Sequence, residues 1–212
     1  WQITITNKKS GPYTDKPAFF LEGGRHAGEI SGIEASLYFI HHVLSGYPND
    51  PAMKALVDTK ALYVRPNNNP DGNTLYHLTA QTLRSTVRPF DSDGDGLLDE
   101  DAGEDLDGDG FIRQMRRYVG PGKGNAAKDP KDPQGRAMRR VPQGQGDYET
   151  LPEGVDNDLD GRYNEDGIGG LDLHRNYPEN WRPMREATGR GYSQGGAGEF
   201  PLSEPETRAV FL

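Results

Sequence analysis

The chain has 212 residues, a net charge of −9 and only 33% apolar residues, with 28 glycines and 16 prolines. Such a composition disfavours a helical bundle and leaves no window apolar enough to span a membrane. The absence of cysteine excludes a disulfide framework and any thiolate metal site.

The acidity is local. Ten acids and no base lie between residues 91 and 109, and without that stretch the remainder carries about +1. Phosphate is repelled where the charge is densest, so nucleic acid is not an expected partner.

Residues 2–6 alternate as a strand does, and residues 7–16 read as a turn. The apolar run 18–21, ending in Gly23-Gly24, predicts a buried strand. Ile30, Ile33, Leu37, Ile40 and Leu44 recur at three- and four-residue steps. They predict an amphipathic helix closed by Gly46, with His41 and His42 on its surface. Residues 61–64 predict another strand, followed by a rigid turn at Asn69-Pro70-Asp71-Gly72. Strand, helix, strand implies an α/β layer architecture.

From residue 90 to about 170 the periodicity fails. So long a stretch is either disordered or held by something other than a hydrophobic core. Ser203-Glu204-Pro205-Glu206 then predicts a helix start with Ser203 at the N-cap. The chain stops inside that helix, which is the expectation for a fragment. The expected segments are 1–89, an acidic insertion at 90–169, and 170–212.

The acidic stretch carries a repeat. Asp91, Asp93, Asp95 and Asp99 occupy positions 1, 3, 5 and 9 of a loop with Gly96 at 6, and Asp101 follows. Asp156, Asp158, Asp160 and Asn164 repeat the pattern around Gly161, with Asp166 following. Asp105, Asp107 and Asp109 before Gly110 make a shorter copy. Alternate carboxylates on a tightly turned loop converge on one point, and hard oxygen ligands in that number suit calcium, with two or three ions expected. Position 12 holds Ala102, Arg116 and Gly167, so the EF-hand's bidentate Glu is missing, and Glu104 and Glu165 are candidates to complete the shells. The loops resemble those of dockerins and thrombospondin repeats. A solvated acidic linker is the competing reading.

His26 and Glu29 stand three apart at the start of the predicted helix, where both side chains can reach one Zn²⁺ ion. A histidine satisfied by ordinary polar contacts is the alternative for that pair alone. Taken with Asn69-Pro70-Asp71-Gly72, Arg84, Asp172-Leu173-His174-Arg175-Asn176 and Ser203-Glu204-Pro205-Glu206, the chain resembles the M14 zinc carboxypeptidases, the carboxypeptidase A-like family.

The resemblance implies an α/β fold with a mixed central sheet and helices on both faces, truncated at the C-terminus and interrupted by a long loop-rich insertion. It implies one catalytic zinc on His26 and Glu29, oriented by Asp172. Arg84 would stabilise the oxyanion, and His174 and Arg175 would bind the terminal carboxylate of a peptide or protein. The family has Asn where this chain has His174, which makes that contact titratable; packing beside Arg175 is the other reading. The family's third zinc ligand, capping Tyr and general-base Glu follow the Ser-Glu-Pro-Glu helix, so this chain alone is expected to be catalytically incomplete. His41, His42 and His77 match no family ligand. Calcium loops of this kind suit a secreted or cell-surface setting. Two other functions compete: a zinc deacylase of small substrates, and a calcium-stabilised structural or adhesive module on an inactive scaffold. Oligomeric state is not legible.

Overall fold

The computed structural model describes residues 1–183 and 195–212. They form two units. The first comprises Trp1–Leu78, Thr82–Phe90 and Gly169–Leu212, and the second Thr79–Gln81 and Asp91–Ile168.

In the first unit, β1 (Ile3–Ile5), β2 (Ala18–Glu22) and β3 (Ala61–Arg65) make a mixed sheet ordered β1-β3-β2. β1 runs antiparallel and β2 parallel to β3. β3 is central, and its Ala61, Leu62 and Val64 are wholly buried. The expectation of a buried β2 is corrected: Ala18, Phe19 and Phe20 are exposed. β2 lies at an end of the strand order, so only one of its edges is hydrogen-bonded to a neighbour.

α1 (Ser31–Gly46) and α2 (Pro51–Thr59) supply the rest of the core. Ile5, Val43, Val57 and Leu62 form its centre, with Phe39, Ile40, Tyr47, Met53 and Leu56 packed against them. Each full burial of this size contributes about 1.5–3 kcal/mol. The predicted stripe of α1 is off by a residue column. Ser36 and Val43 are buried, whereas Ile30, Leu37 and Leu44 are exposed. The packed face steps through 36, 40, 43 and 47, a neighbouring column that holds the small polar Ser36. His41 and His42 are exposed on this helix.

α2 was not anticipated. Asp50 caps it by accepting from the N–H groups of Ala52 and Met53, and Pro51 stands at the first turn. The rigid turn at Asn69 is the start of α3 (Pro70–Leu78), where the Asn69 side chain accepts from Gly72 N–H. α4 (Pro205–Phe211) is capped at Glu204, one residue later than expected. The Ser203 hydroxyl instead lies against the Asn176 amide and the Glu204 carboxylate.

Asp58 ties α2 to the chain start. Lys54 Nζ at 2.9 Å, Asn7 Nδ2 at 2.8 Å and Tyr47 Oη at 3.0 Å donate to its carboxylate. Lys54, and then Asn7, hold that carboxyl at about 2. A depressed carboxylate pKa contributes stability that is present above the unfolded value near 3.8 and lost as pH falls through about 2. Asp58→Asn should therefore flatten the acid limb of a pH–stability curve in that window. A limb as steep as wild type would contradict this role.

The second unit carries β4 (Gln114–Tyr118), β5 (Ala126–Lys128), β6 (Met138–Arg140) and β7 (Tyr148–Pro152) in an antiparallel sheet ordered β4-β7-β5-β6. Hydrophobic periodicity did not reveal these strands, because their alternate positions are largely charged. They are held by cross-strand partners instead. Arg117 faces Glu149 in register and pairs with it, and Tyr118 meets Tyr148 edge-on with ring centroids 5.3 Å apart. Among the described residues of this unit, Ala126 is the one apolar side chain in the buried set. The stretch is ordered without a hydrophobic core.

Candidate active site

Asp172 lies at the centre of the site in the first unit and is wholly buried. Its Oδ1 accepts from the backbone N–H of His174 at 2.9 Å and lies 3.0 Å from His26 Nε2. Its Oδ2 accepts from Arg84 Nε at 2.9 Å and stands 3.3 Å from Arg175 Nε. Burial pushes this carboxyl up, but Arg84, the His174 N–H and His26 outweigh it and hold the group below its ordinary range. Asp172 is therefore an anion around which three candidate side chains converge.

That anion orients His26: carboxylate Oδ1 can only accept, so Nε2 carries a proton toward it and Nδ1 is the nitrogen left for a metal ion. Nδ1 is buried and has no hydrogen-bond partner, yet Glu29 Oε1 lies 2.9 Å from it. A nitrogen and a carboxylate oxygen that close are held together by a positive charge between them, either a proton or a metal ion. A neutral imidazole nitrogen and a carboxylate oxygen are zinc donors, and a carboxylate behind the far ring nitrogen is the usual support of a zinc-bound histidine. The residues present thus fit a zinc ion. Glu29 is the more exposed of the two and also accepts from Arg84 Nη1 at 3.3 Å.

Arg175 is half exposed. His174 is oriented by a residue that sequence reasoning missed: Arg25 Nη1 lies 2.9 Å from His174 Nδ1. A guanidinium can only donate, so Nδ1 accepts and the His174 proton is on Nε2. Arg25 is itself held by Glu22 and lies over the Tyr177 ring at 5.1 Å. Arg25, His174, Arg175, Tyr177, Glu179 and Asn180 line a cavity of about 600 Å³. Arg25 was not singled out in the sequence, because a hydrogen bond to a histidine 149 residues away leaves no local trace.

Asn176 was also missed as a support. It is wholly buried. Its Nδ2 donates to Ala197 O, Phe200 O and Ser203 Oγ, while Oδ1 accepts from Glu204 N–H and Thr207 Oγ1.

In the second unit three sets of acids bring ligand atoms within 4.8 Å of one another around the first and last loops: Asp93 with Asp158, Asp160 and Glu165; Asp91 and Asp93 with Asp166; Asp93 and Asp95 with Glu100. Asp105, Asp107 and Asp109 form a fourth set. Among the acids, Asp99, Asp101 and Asp156 join none of these sets. Asp101 is occupied by the N–H groups of Asn157 and Asn164, and Asn164 Nδ2 donates to Pro152 O. Glu100 is a member that the loop pattern did not select. Glu104 is absent from all four sets. Burial, then Asp101 beside it, pushes the Glu165 carboxyl up to about 7, and burial raises Glu100 likewise.

The mixed sheet makes an α/β protein, and its His–carboxylate pair, backed by a buried aspartate, is a donor set that fits zinc. The sequence matches the zinc carboxypeptidase family Peptidase_M14 over residues 1–211, and the chain belongs to that family. Carboxypeptidase A2 of Rattus norvegicus is 35% identical over 72 residues, which cover 34% of this chain and 17% of that protein. Carboxypeptidase M of Mus musculus is 34% identical over 72 residues, covering 34% of this chain and 16% of that protein. Carboxypeptidase A from Helicoverpa armigera shares the fold over 99% of this chain and 32% of its own, with a TM-score of 0.51 at 16% identity. Thrombin activatable fibrinolysis inhibitor does so over 99% and 33%, also at 0.51 and 16%. The chain thus spans about a third of the length of these solved structures. No described helix is long and apolar enough to cross a membrane.

Proposed function

We propose that this chain carries the zinc-binding and carboxylate-binding half of a metallocarboxypeptidase that removes C-terminal residues from peptides or proteins. The observation that carries the reading is the buried, partnerless Nδ1 of His26 beside Glu29, with Asp172 fixing the opposite nitrogen. Zinc held there by His26 and Glu29 would polarise the scissile carbonyl and lower the pKa of a bound water.

The chain's own residues prepare the substrate. Arg175 presents a guanidinium fork, which fits a terminal carboxylate bidentately. His174 adds an Nε2–H donor, since Arg25 occupies its Nδ1. Together they select a chain end over an internal peptide. Arg84, pinned through Nε by Asp172, carries a guanidinium that can stabilise the oxygen on which charge develops.

The test, made on the protein together with the segment that supplies the family's third zinc ligand and general-base Glu, is zinc content by mass spectrometry, combined with release of the C-terminal amino acid from benzoyl-glycyl-phenylalanine and from the same peptide as its C-terminal amide. One zinc per chain and cleavage of the free acid alone are expected. Arg175→Ala should raise KM for the acid at least tenfold. Equal hydrolysis of acid and amide would overturn the chain-end reading, and cleavage of N-acyl amino acids alone would move the protein to the deacylases.

The acidic loops of the second unit are read as calcium sites that order it in place of a core. Extracellular calcium, at millimolar level, suits such loops, and this supports a secreted or cell-surface location. EDTA should accelerate proteolysis between residues 91 and 168 at least tenfold, and an unchanged rate would sink the calcium reading.

A further inference from the structure

The second unit has one buried apolar side chain, Ala126, but three buried carboxylates, Asp101, Glu153 and Asp166. A unit of about 80 residues without an apolar core or disulfides needs another staple. The buried carboxylates differ in how they are satisfied. Glu153 accepts from the N–H groups of Leu106, Asp107 and Arg113. Asp101 accepts from those of Asn157 and Asn164. Asp166 accepts from Ser92 N–H through Oδ1, while its Oδ2 is buried with no partner. Both carboxylate oxygens of Glu100 and of Glu165 are buried without a partner as well.

These orphaned oxygens follow an exchange between two loops. Residues 91–101 and 156–166 have the same length and pattern. The eleventh residue of each, Asp101 or Asp166, accepts from the second residue of the other, Asn157 or Ser92. Asp101 N–H also donates to Asp166 O. The ninth residues, Asp99 and Asn164, both take a left-handed backbone, with φ of 54° and 58°. The tenth residues are Glu100 and Glu165. Oxygens bound to one calcium at about 2.4 Å lie at most about 4.8 Å apart, a spacing met within each of three sets that share Asp93: Asp91 and Asp166; Asp95 and Glu100; Asp158, Asp160 and Glu165.

We propose that the two loops close on each other as a single two-calcium unit, an inference that rests on the calcium reading above. One ion lies among Asp91, Asp93, Asp95 and Glu100, with Asp166 from the other loop. The second lies among Asp158, Asp160 and Glu165, with Asp93 reaching across. Glu100 and Glu165 at position 10, with the crossing aspartates, replace the missing Glu at position 12. Asp93 belongs to both sites, so the ions bind together. The shorter loop is separate: Asp109 is already paired with Arg113 at 2.6 Å, and no carboxylate oxygen of Asp105, Asp107 or Asp109 is buried without a partner.

The experiment is a calcium titration of the whole chain followed by native mass spectrometry, with Asp105→Asn as the background to remove the shorter loop. The expected record passes from no ion to two with little one-ion species. Glu165→Gln should weaken both ions at least tenfold, although it touches the ligands of only one. A dominant one-ion species, or one ion kept at wild-type affinity in Glu165→Gln, would overturn the paired unit and leave separate calcium loops standing. No calcium bound at millimolar concentration would overturn both readings. The titration of the background protein decides the question even if Glu165→Gln fails to fold.

Discussion

Asp172→Asn is expected to weaken zinc binding about 10- to 100-fold, the usual loss when the support behind a zinc-bound histidine is removed. All four directions around this side chain are occupied by donors. Oδ1 faces His26 Nε2 and the His174 N–H, and Oδ2 faces Arg84 Nε and Arg175 Nε. An amide has only one acceptor oxygen. In either orientation its NH₂ meets two donors, so the site loses His26 or both arginines. Zinc competition against a chelator measures the first loss. A wild-type zinc affinity would show that His26 is oriented by something other than Asp172. Glutamate at this position should do no better, because the added methylene has no room in a wholly buried place.

The second large effect is on stability. Asn176→Ala should cost about 3 kcal/mol or more, since each buried group left without its partner costs about 1–3 kcal/mol. Removing the amide strands Glu204 N–H, the first donor of α4, together with the carbonyls of Ala197 and Phe200. For a chain of this size that is a fall in Tm of roughly 10 °C. Asn176→Asp keeps the acceptor for Glu204 but turns a charge toward both carbonyls, so it should be comparably damaging. A fall of under 2 °C in both variants would mean that the segment from Ala197 to Thr207 is anchored elsewhere. Asn176 is adjacent to Arg175, so loss of this anchor should also raise KM for peptide acids in whatever fraction remains folded.

The part of the site that was legible in the sequence is the part built from short-range chemistry. His26 and Glu29 are three residues apart, and a turn closed by the Glu29 N–H on the His26 carbonyl, just before α1, brings their side chains together. Asn69 before Pro70 marks a boundary because an amide oxygen can accept from Gly72 N–H, although a turn was expected and a helix start was found. The acidic loops were visible for the same reason. In each, the N–H groups of the fifth, sixth and seventh positions donate to the acids at positions 3, 1 and 5, as Gly96 and Gly161 do to Asp91 and Asp156. The mixed α/β class followed from the order of apolar runs, and the family from motifs dispersed along the chain.

Tertiary structure decided everything that depends on partners far apart in sequence. β2 and β3 are similar apolar runs, yet the first is exposed and the second buried, because strand order puts one at an edge and the other between neighbours. The packed face of α1 was set by what lies opposite, which admitted Ser36 and left Leu37 in water. β4 to β7 are held by cross-strand charges and rings, which hydrophobic periodicity does not detect. Arg25 acquired its role only when folding set it against His174, 149 residues on. The carboxylate oxygens of Glu100 and Glu165 are buried only in the folded unit, which the linear spacing did not show. The sequence by itself determined which chemistry each short segment could perform. The tertiary structure decided which segments perform it together, since a hydrogen bond, a buried charge or a sheet edge is defined by its partner, and most partners here lie dozens of residues away.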